Sequence, residues 1–402
     1  MNFTKKASQK PRVFIGLAML VIILIVTTLI RMFTLDTEII LVQTVEMPTL
    51  PVLTEIKTGD FRQKAIALDG RIIQGTNLDP QPTASTAKMI LSLVVMEKYP
   101  FTLGSAGETI EITPEFYDKY LWYISHNGSN TPVAVGEAIS QYDAIASILL
   151  ASSNNMADSL AIWAFGSLEN YQKFAADFLT SIGTKNTTIG VDACGYSETT
   201  TSTAEDLAII ANKLLENPVL REIVRLKSHT VPVAGLIKNT NTILGENLNN
   251  GASVIGVKTG YIGSISGYNL ISAYQMEDHY ITLSLLGANT RAASFEGSRE
   301  ELLRLSSELI PTTIVEKDQK VGYYQTWWSG QHDILATESL RIFGFSDGQN
   351  QDGITAENTT DGVILTSRIN GVDYTTPTTY EDFPSEPTFW QRFLRLFGWE
   401  AE

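Results

Sequence analysis

The pattern of apolar and polar positions changes three times along the 402-residue chain, and each pattern predicts different elements. Residues 13–30 carry no charge, and as a helix rising ~1.5 Å per residue they reach roughly 27 Å, close to the hydrocarbon thickness of a bilayer. Arg31-Met32-Phe33 follows instead of a small-x-small cleavage site, so the stretch predicts an uncleaved signal anchor rather than a cleaved signal peptide or a buried core helix. Lys5, Lys6, Lys10 and Arg12 precede it and only Arg31 closely follows. By the positive-inside rule, residues 1–12 are then a cytoplasmic tail and everything beyond residue 30 is outside the cell. Residues 31–60, with Pro48 and Pro51 and little helical period, predict a stem or the first strand of a domain.

The second pattern covers residues 61–310. Two short apolar runs flank Asp69-Gly70, a strong hairpin signal. Helical periods then dominate at 85–98, 139–150, 155–165, 168–179 and 204–215. Strand-like runs return at 253–259, 267–274 and 280–288, followed by a closing helix at 298–309. Helices inserted into a sheet built from both ends of a segment predict an α+β domain with an antiparallel sheet and a helical cluster. From residue 311 to 380, short strands separated by Gly, Asn and Asp predict a separate small β domain. Residues 381–402 read as a linker and a short helix. On a helical projection, Gln391, Arg392 and Arg395 separate from Phe389, Trp390, Phe393, Leu394, Leu396 and Phe397. Such a helix either docks on the β domain or lies in a membrane surface with its arginines snorkelling.

Composition narrows the function classes. A hydrophobic fraction of 44% supplies a sizeable core and excludes a disordered chain. Against 44 acidic residues stand 29 basic ones, and a net charge of -15 repels phosphate backbones, which argues against nucleic acid as a partner. The five basic residues up to Arg31 meet no acidic ones there, so taking them away leaves -20 on the rest of the chain. Cys194 is the single cysteine, and His126, His229, His279 and His332 lack metal-ligand spacing, so neither a disulfide, a metal nor a cofactor is expected.

The chain contains no Gly-x-Ser-x-Gly elbow and no His-Glu-x-x-His. It does contain one Ser-x-x-Lys, Ser85-Thr86-Ala87-Lys88, which opens an apolar segment that reads as a helix buried nearly all round, with Pro82 and Thr83 as its start signal. A separation of three places the Ser85 hydroxyl and the Lys88 amine one turn apart on one face, where a neutral amine takes the hydroxyl proton. Burial and a second nearby cation would both lower the lysine pKa, and the helix start offers backbone N–H groups to an oxyanion. Ser152-Ser153-Asn154 lies between two helical periods. It presents either a hydroxyl and an amide to a substrate or an ordinary N-cap. Ser125-His126-Asn127 and Ser153-Asn154-Asn155 repeat its pattern. Lys258-Thr259-Gly260 ends a strand-like run, offering a cation and a hydroxyl to a carboxylate and a glycine for close backbone approach. Its duplicate, Lys57-Thr58-Gly59, reads as a turn.

In the order Ser-x-x-Lys, Ser-x-Asn, Lys-Thr-Gly, the three motifs and their flanks resemble the serine-type D-alanyl-D-alanine carboxypeptidases, the low-molecular-mass penicillin-binding proteins. The segments 82–88, 149–158 and 257–261 carry the likeness, with Ser202-Thr203-Ala204-Glu205-Asp206-Leu207 and Asn239-Thr240-Asn241 between them, over about 65–309. The resemblance implies a β-lactamase/transpeptidase-like fold and removal of the terminal D-Ala from peptidoglycan stem peptides through an acyl-enzyme that penicillin also forms. It implies Ser85 as nucleophile, Lys88 as base and Ser152 as proton relay. Asn154 would hold the peptide, Lys258 and Thr259 the terminal carboxylate, and the backbone N–H groups of Ser85 and Tyr261, beside Gly260, the oxyanion. Two features depart from the family: Asn155 stands where many relatives have Asp, and the N-terminal anchor is uncleaved. The rival readings are a β-lactamase, a D,D-endopeptidase or transpeptidase of the same fold, and a non-hydrolytic envelope sensor. A class A β-lactamase would use Ser-Asp-Asn and a deacylating Glu, and the middle Asp is absent here.

Overall fold

The computed structural model describes residues 10–33, 40–45, 50, 53–54, 59–76, 79–343, 354–359, 362–369, 372–380 and 386–399. The expectations for the tail before residue 10, for Lys57-Thr58 and for the linker at 381–385 lie outside these residues. The chain divides into two units, Leu53–Ile310 and Met1–Val52 with Pro311–Glu402.

Leu53–Ile310 is built on a five-stranded antiparallel sheet, ordered Val254–Gly260, Tyr268–Met276, His279–Ala288, Gln63–Leu68, Arg71–Gly75. The hairpin at its edge turns on Asp69 and Gly70, both at positive φ (48° and 77°), as an Asp-Gly turn between twisted strands requires. The middle strands are buried on both faces. Ala65 and Ala67 point into the main hydrophobic cluster, where small side chains let the helix Ala204–Glu216 lie close to the sheet. Ile66 and Leu68 alternate to the other face, and the helix Arg291–Glu308 packs along Tyr268–Met276 and His279–Ala288.

Within the helical cluster, Lys88–Lys98 is buried from Lys88 through Met96 and packs against Asn154–Phe165 and Ala204–Glu216. Continuous burial is why its sequence shows an unbroken apolar run rather than a one-sided stripe. The helix predicted at 85–98 begins differently: Ala84–Ala87 is a 3-10 turn, and Thr83 makes no cap, its hydroxyl donating instead to the Thr200 carbonyl at 3.1 Å. Two helices were not predicted, Pro114–Ser125 and Pro218–Arg225, although each has Pro in its first turn and a capping Thr113 or Asn217 before it, and the second, only eight residues long, buries Val219, Leu220, Ile223 and Val224 on one side.

The other unit holds a six-stranded sheet ordered Ile40–Gln43, Lys320–Thr326, Gly330–Ala336, Val372–Tyr380, Gly362–Ile369, Ile354–Thr359, with a ribbon of Pro311–Val315 and Leu340–Phe343. Ile40–Gln43, from the segment with stem-or-strand character, is its edge strand, paired with Lys320–Thr326 through Ile40↔Gln325 and Gln43↔Gly322. Lys10–Phe33 is a single 24-residue helix. Side chains are described from Ala18 onward, and among the described residues no helix is long and apolar enough to cross a membrane.

The C-terminal helix is Phe389–Arg395, started by a capping box between Thr388 and Gln391. Its polar side meets its own unit: Gln391 Nε2 donates to the Trp328 carbonyl at 2.8 Å, and Arg395 lies 5.5 Å over the Trp327 ring. Its apolar side faces out, with Trp390 68% and Phe397 75% exposed. Docking and outward apolarity thus coexist on opposite faces of one helix.

Candidate active site

The nucleophile segment enters its helix through a strained residue, Ala84 at φ +49°, just before Ser85. This 3-10 turn sets the Ser85 hydroxyl 2.8 Å from Lys88 Nζ. Lys88 is fully buried, and its amine has two further partners, Asn154 Oδ1 and the Cys194 carbonyl, each at 2.8 Å. Both of these can only accept. A neutral amine therefore donates its two hydrogens to them and turns its lone pair to the one partner able to donate, the Ser85 hydroxyl. Burial pushes the Lys88 pKa down from the usual lysine value, against the smaller upward pull of Cys194, Asp192 and Asp158.

The tripeptide Ser152-Ser153-Asn154 satisfies both of its readings at once. Ser153 is the N-cap of Asn154–Phe165, accepting from Met156 N, while its neighbours face the site. Ser152 is held at φ +59°, and Asn154 opens the helix with its own N–H donated to the Ser129 carbonyl at 2.8 Å. Asn155 points away from the reaction. It accepts from Thr131 N at 2.9 Å and donates to Thr131 O at 3.0 Å, a two-way pairing that a carboxylate cannot make.

Lys258 comes from the sheet. Register with the neighbouring strand shifts between Gly256 and Lys258, a bulge that re-aims the strand just before the lysine. Lys258 Nζ donates to Ser152 Oγ at 3.0 Å and to the Thr259 carbonyl at 2.9 Å. Buried among neutral partners, its pKa is driven well below the usual lysine value, first by desolvation and then by the positive charge of Lys88. Thr259 Oγ1 lies 2.7 Å from Thr240 Oγ1. Gly260 matters for space: a Cβ there would sit 3.0 Å from the Thr83 carbonyl and 3.1 Å from Ser85 N, so glycine lets the strand end lie against the nucleophile turn.

Most of these groups line one cleft, and Lys88 and Lys258 are buried behind its wall. A cavity of about 370 Å³ takes its walls from Ser85, Ser152, Thr259, Gly260 and Tyr261, and a second of about 400 Å³ shares Ser85 and Tyr261 and reaches Asn154. The three motifs, more than 170 positions apart from first to last, are thus brought together. No carboxylate lines either lobe among the described residues, while Arg291 lines the first. Of the duplicates, Ser125 bonds to His126, which stacks on Trp122, while Asn127 of the same tripeptide lines the second lobe beside Ser85.

Sequence reasoning missed several contributors, Ser129 in both lobes among them. Arg291, Thr240 and Tyr268, which stacks on Tyr261 at 4.1 Å, belong to the cleft. Thr240 lay in a segment already noticed, but Arg291 and Tyr268 had no local pattern. The Cys194 carbonyl could not be found from sequence, because every residue carries one.

A serine hydroxyl bonded to a buried lysine amine, opposite a second buried lysine on a strand edge, is an arrangement suited to acyl transfer through serine. The family described as D-alanyl-D-alanine carboxypeptidase matches residues 63–290, more than half of the chain, and the protein belongs to it. D-alanyl-D-alanine carboxypeptidase DacC of Escherichia coli is 26% identical over 303 residues, covering 73% of this chain and 70% of the relative. Among solved structures, penicillin binding protein 5 from Haemophilus influenzae superposes with a TM-score of 0.59 at 18% identity, over 83% of this chain and all of that one. A peptidoglycan synthesis regulatory factor (PBP3) from Streptococcus pneumoniae gives 0.63 at 16% identity, over 81% and 99%. At such identities the two share the fold, including a β unit beyond the catalytic one. The expected transpeptidase-like α+β fold with a C-terminal β domain is the one found, and the protein is a serine-type enzyme of this family.

Proposed function

We propose that the enzyme removes the terminal D-Ala from peptidoglycan stem peptides, and the contact between Ser85 Oγ and the buried Lys88 Nζ carries that reading. Lys88 takes the Ser85 proton as Oγ attacks the carbonyl of the penultimate D-Ala. The developing oxyanion is met by the backbone N–H groups of Ser85 and Tyr261, a role supported by how closely Gly260 approaches the nucleophile turn. Ser152, hydrogen-bonded to Lys258, relays the proton that Lys88 took from Ser85 to the departing D-alanine amine, which returns Lys88 to its neutral form, and Asn154 orients the peptide. Lys258 and Thr259 receive the terminal carboxylate. Water then releases the shortened peptide from Ser85. A β-lactam enters the same acylation step, and the absence of a carboxylate from the described cleft wall favours slow release of that adduct over β-lactamase turnover.

The enzyme works at the outer face of a cell membrane, held by a single span. The uncharged 13–30 segment within the helix Lys10–Phe33 supports this, as do the exposed side chains from Met19 to Val26. The outward apolar face of Phe389–Arg395 supports a second contact with the membrane surface.

The test uses the full chain in detergent. Labelled penicillin is expected on Ser85, with none on Ser85→Ala, and D-alanine is expected from a pentapeptide faster than a chromogenic cephalosporin is hydrolysed. Equal labelling of the variant removes the nucleophile assignment, and faster cephalosporin turnover makes the protein a β-lactamase. Cleavage of cross-linked dimers in preference to pentapeptide makes it an endopeptidase.

A further inference from the structure

The base is held in part by a turn that none of the motifs contains. The Cys194 carbonyl, one of the two acceptors that orient Lys88, belongs to the turn at 192–197, and two buried carboxylates tie that turn down. Asp192 Oδ1 accepts from Cys194 N at 3.1 Å and Gly195 N at 2.6 Å, and its Oδ2 accepts from Ser197 N at 2.6 Å. From the helix Asn154–Phe165, Asp158 Oδ1 accepts from Ala193 N at 3.1 Å, and its Oδ2 accepts from the Tyr123 hydroxyl at 2.7 Å. The turn also presses on the nucleophile. Gly195 is at φ +68°, and a Cβ there would overlap the Ala84 carbonyl oxygen, one residue before Ser85. One turn therefore touches both partners of the proton transfer.

We propose that Asp192, assisted by Asp158, is a positioning residue for acylation: it clamps the 192–197 turn so that the Cys194 carbonyl keeps the Lys88 lone pair on the Ser85 hydroxyl. Four backbone N–H groups converge on these two side chains. A carboxylate accepts several such bonds at once, whereas an amide offers one oxygen and turns its N–H₂ toward donors. The charge has its own effect. Lys88 is faced by Ser85, Asn154 and the Cys194 carbonyl in contact, by Lys258, whose own pKa burial drives well down, and by Asp192, Asp158 and the Cys194 thiol, whose negative forms favour the protonated amine. Lys119 Nζ reaches Asp158 at 3.9 Å, whereas Asp192 is met by backbone N–H groups and, among the described residues, by no ion pair.

The inference rests on Lys88 being the base, and the unaltered protein separates the two ideas. If the unaltered chain neither binds penicillin covalently nor releases D-alanine, the reaction assignment fails. If it does both and the variants below behave like it, only this inference fails. In the full chain, Asp192→Asn is expected to lower kcat for D-alanine release about tenfold or more, on the order of one lost charge-assisted hydrogen bond, with KM changed less than about threefold. The acid limb of kcat/KM is expected to move to lower pH, because a negative charge that favours the ammonium is gone. A role limited to stability would lower the yield of folded protein and leave that limb in place. A kcat loss with an unmoved acid limb, or a change in KM alone, overturns the proposal. Should Asp192→Asn not fold, Asp158→Asn decides: its amide oxygen still accepts from Ala193 N, and an acid limb shifted downward supports the proposal while an unmoved one overturns it.

Discussion

At the scale of single residues, the site depends on two lysines kept from being charged. Lys88 and Lys258 have hydroxyl, amide and carbonyl partners, and burial pushes both pKa values down. Activity needs neutral Lys88, so kcat/KM should rise with pH through a limb lying below the ordinary lysine range. Lys88→Arg should abolish acylation by labelled penicillin, since a guanidinium stays protonated at any accessible pH. Lys258→Met should act in two measurable ways. It should raise KM for a carboxylate-terminated peptide, because the side chain proposed to receive that carboxylate is gone. It should also raise the melting temperature at neutral pH. A lysine whose folded pKa lies below its unfolded one opposes folding fully at pH values below the folded pKa, and that penalty disappears as pH rises past the unfolded value. Replacing it with an apolar chain of similar length should therefore stabilise by about 1–2 kcal/mol.

At the scale of elements, side-chain amides join segments that the chain keeps far apart. Asn269 donates to the carbonyls of Pro82 at 3.2 Å and Thr83 at 3.1 Å and accepts from Gly287 N at 2.9 Å, tying the sheet to the nucleophile turn. Asn269→Ala should leave these buried groups unpaired. It should cost about 2–3 kcal/mol in chemical unfolding, with kcat falling as the turn loosens. Asn155→Asp should cost about 1–2 kcal/mol by the same measurement, because a carboxylate would face the Thr131 carbonyl, with Ser85 acylation reduced far less. The hairpin and most of the buried helices were legible, since Asp69-Gly70 and long apolar periods act locally. The start of the nucleophile helix was not: Thr83, a good cap by residue type, gives its hydroxyl to Thr200, a residue 117 positions away.

At the scale of the whole molecule, the chain contributes a strand to one unit, builds the catalytic unit, and returns to complete the first. Ile40–Gln43 covers the edge of Lys320–Thr326, so a chain shortened by 52 residues should expose that edge and aggregate, whereas one shortened by 33 should remain monodisperse in size-exclusion chromatography. The second truncation should also move the protein largely from the membrane fraction to the soluble one, and retention in the membrane by a chain lacking both the first 33 residues and residues 387–402 would remove the proposed span. Deleting residues 387–402 from that soluble chain should weaken liposome binding, and unchanged binding would count against the surface role of the C-terminal helix. What the amino-acid order determined by itself is everything that acts over a few positions: the apolar helices, the tight hairpin, and the three motifs with their hydroxyls, amines and amide. Only the tertiary structure decided that Lys88 loses water on every side, that the Cys194 carbonyl and Asn154 aim its lone pair, and that Ile40–Gln43 joins a sheet begun nearly three hundred residues later. Burial and backbone acceptors belong to no residue type, and they arise only when distant segments exclude solvent together.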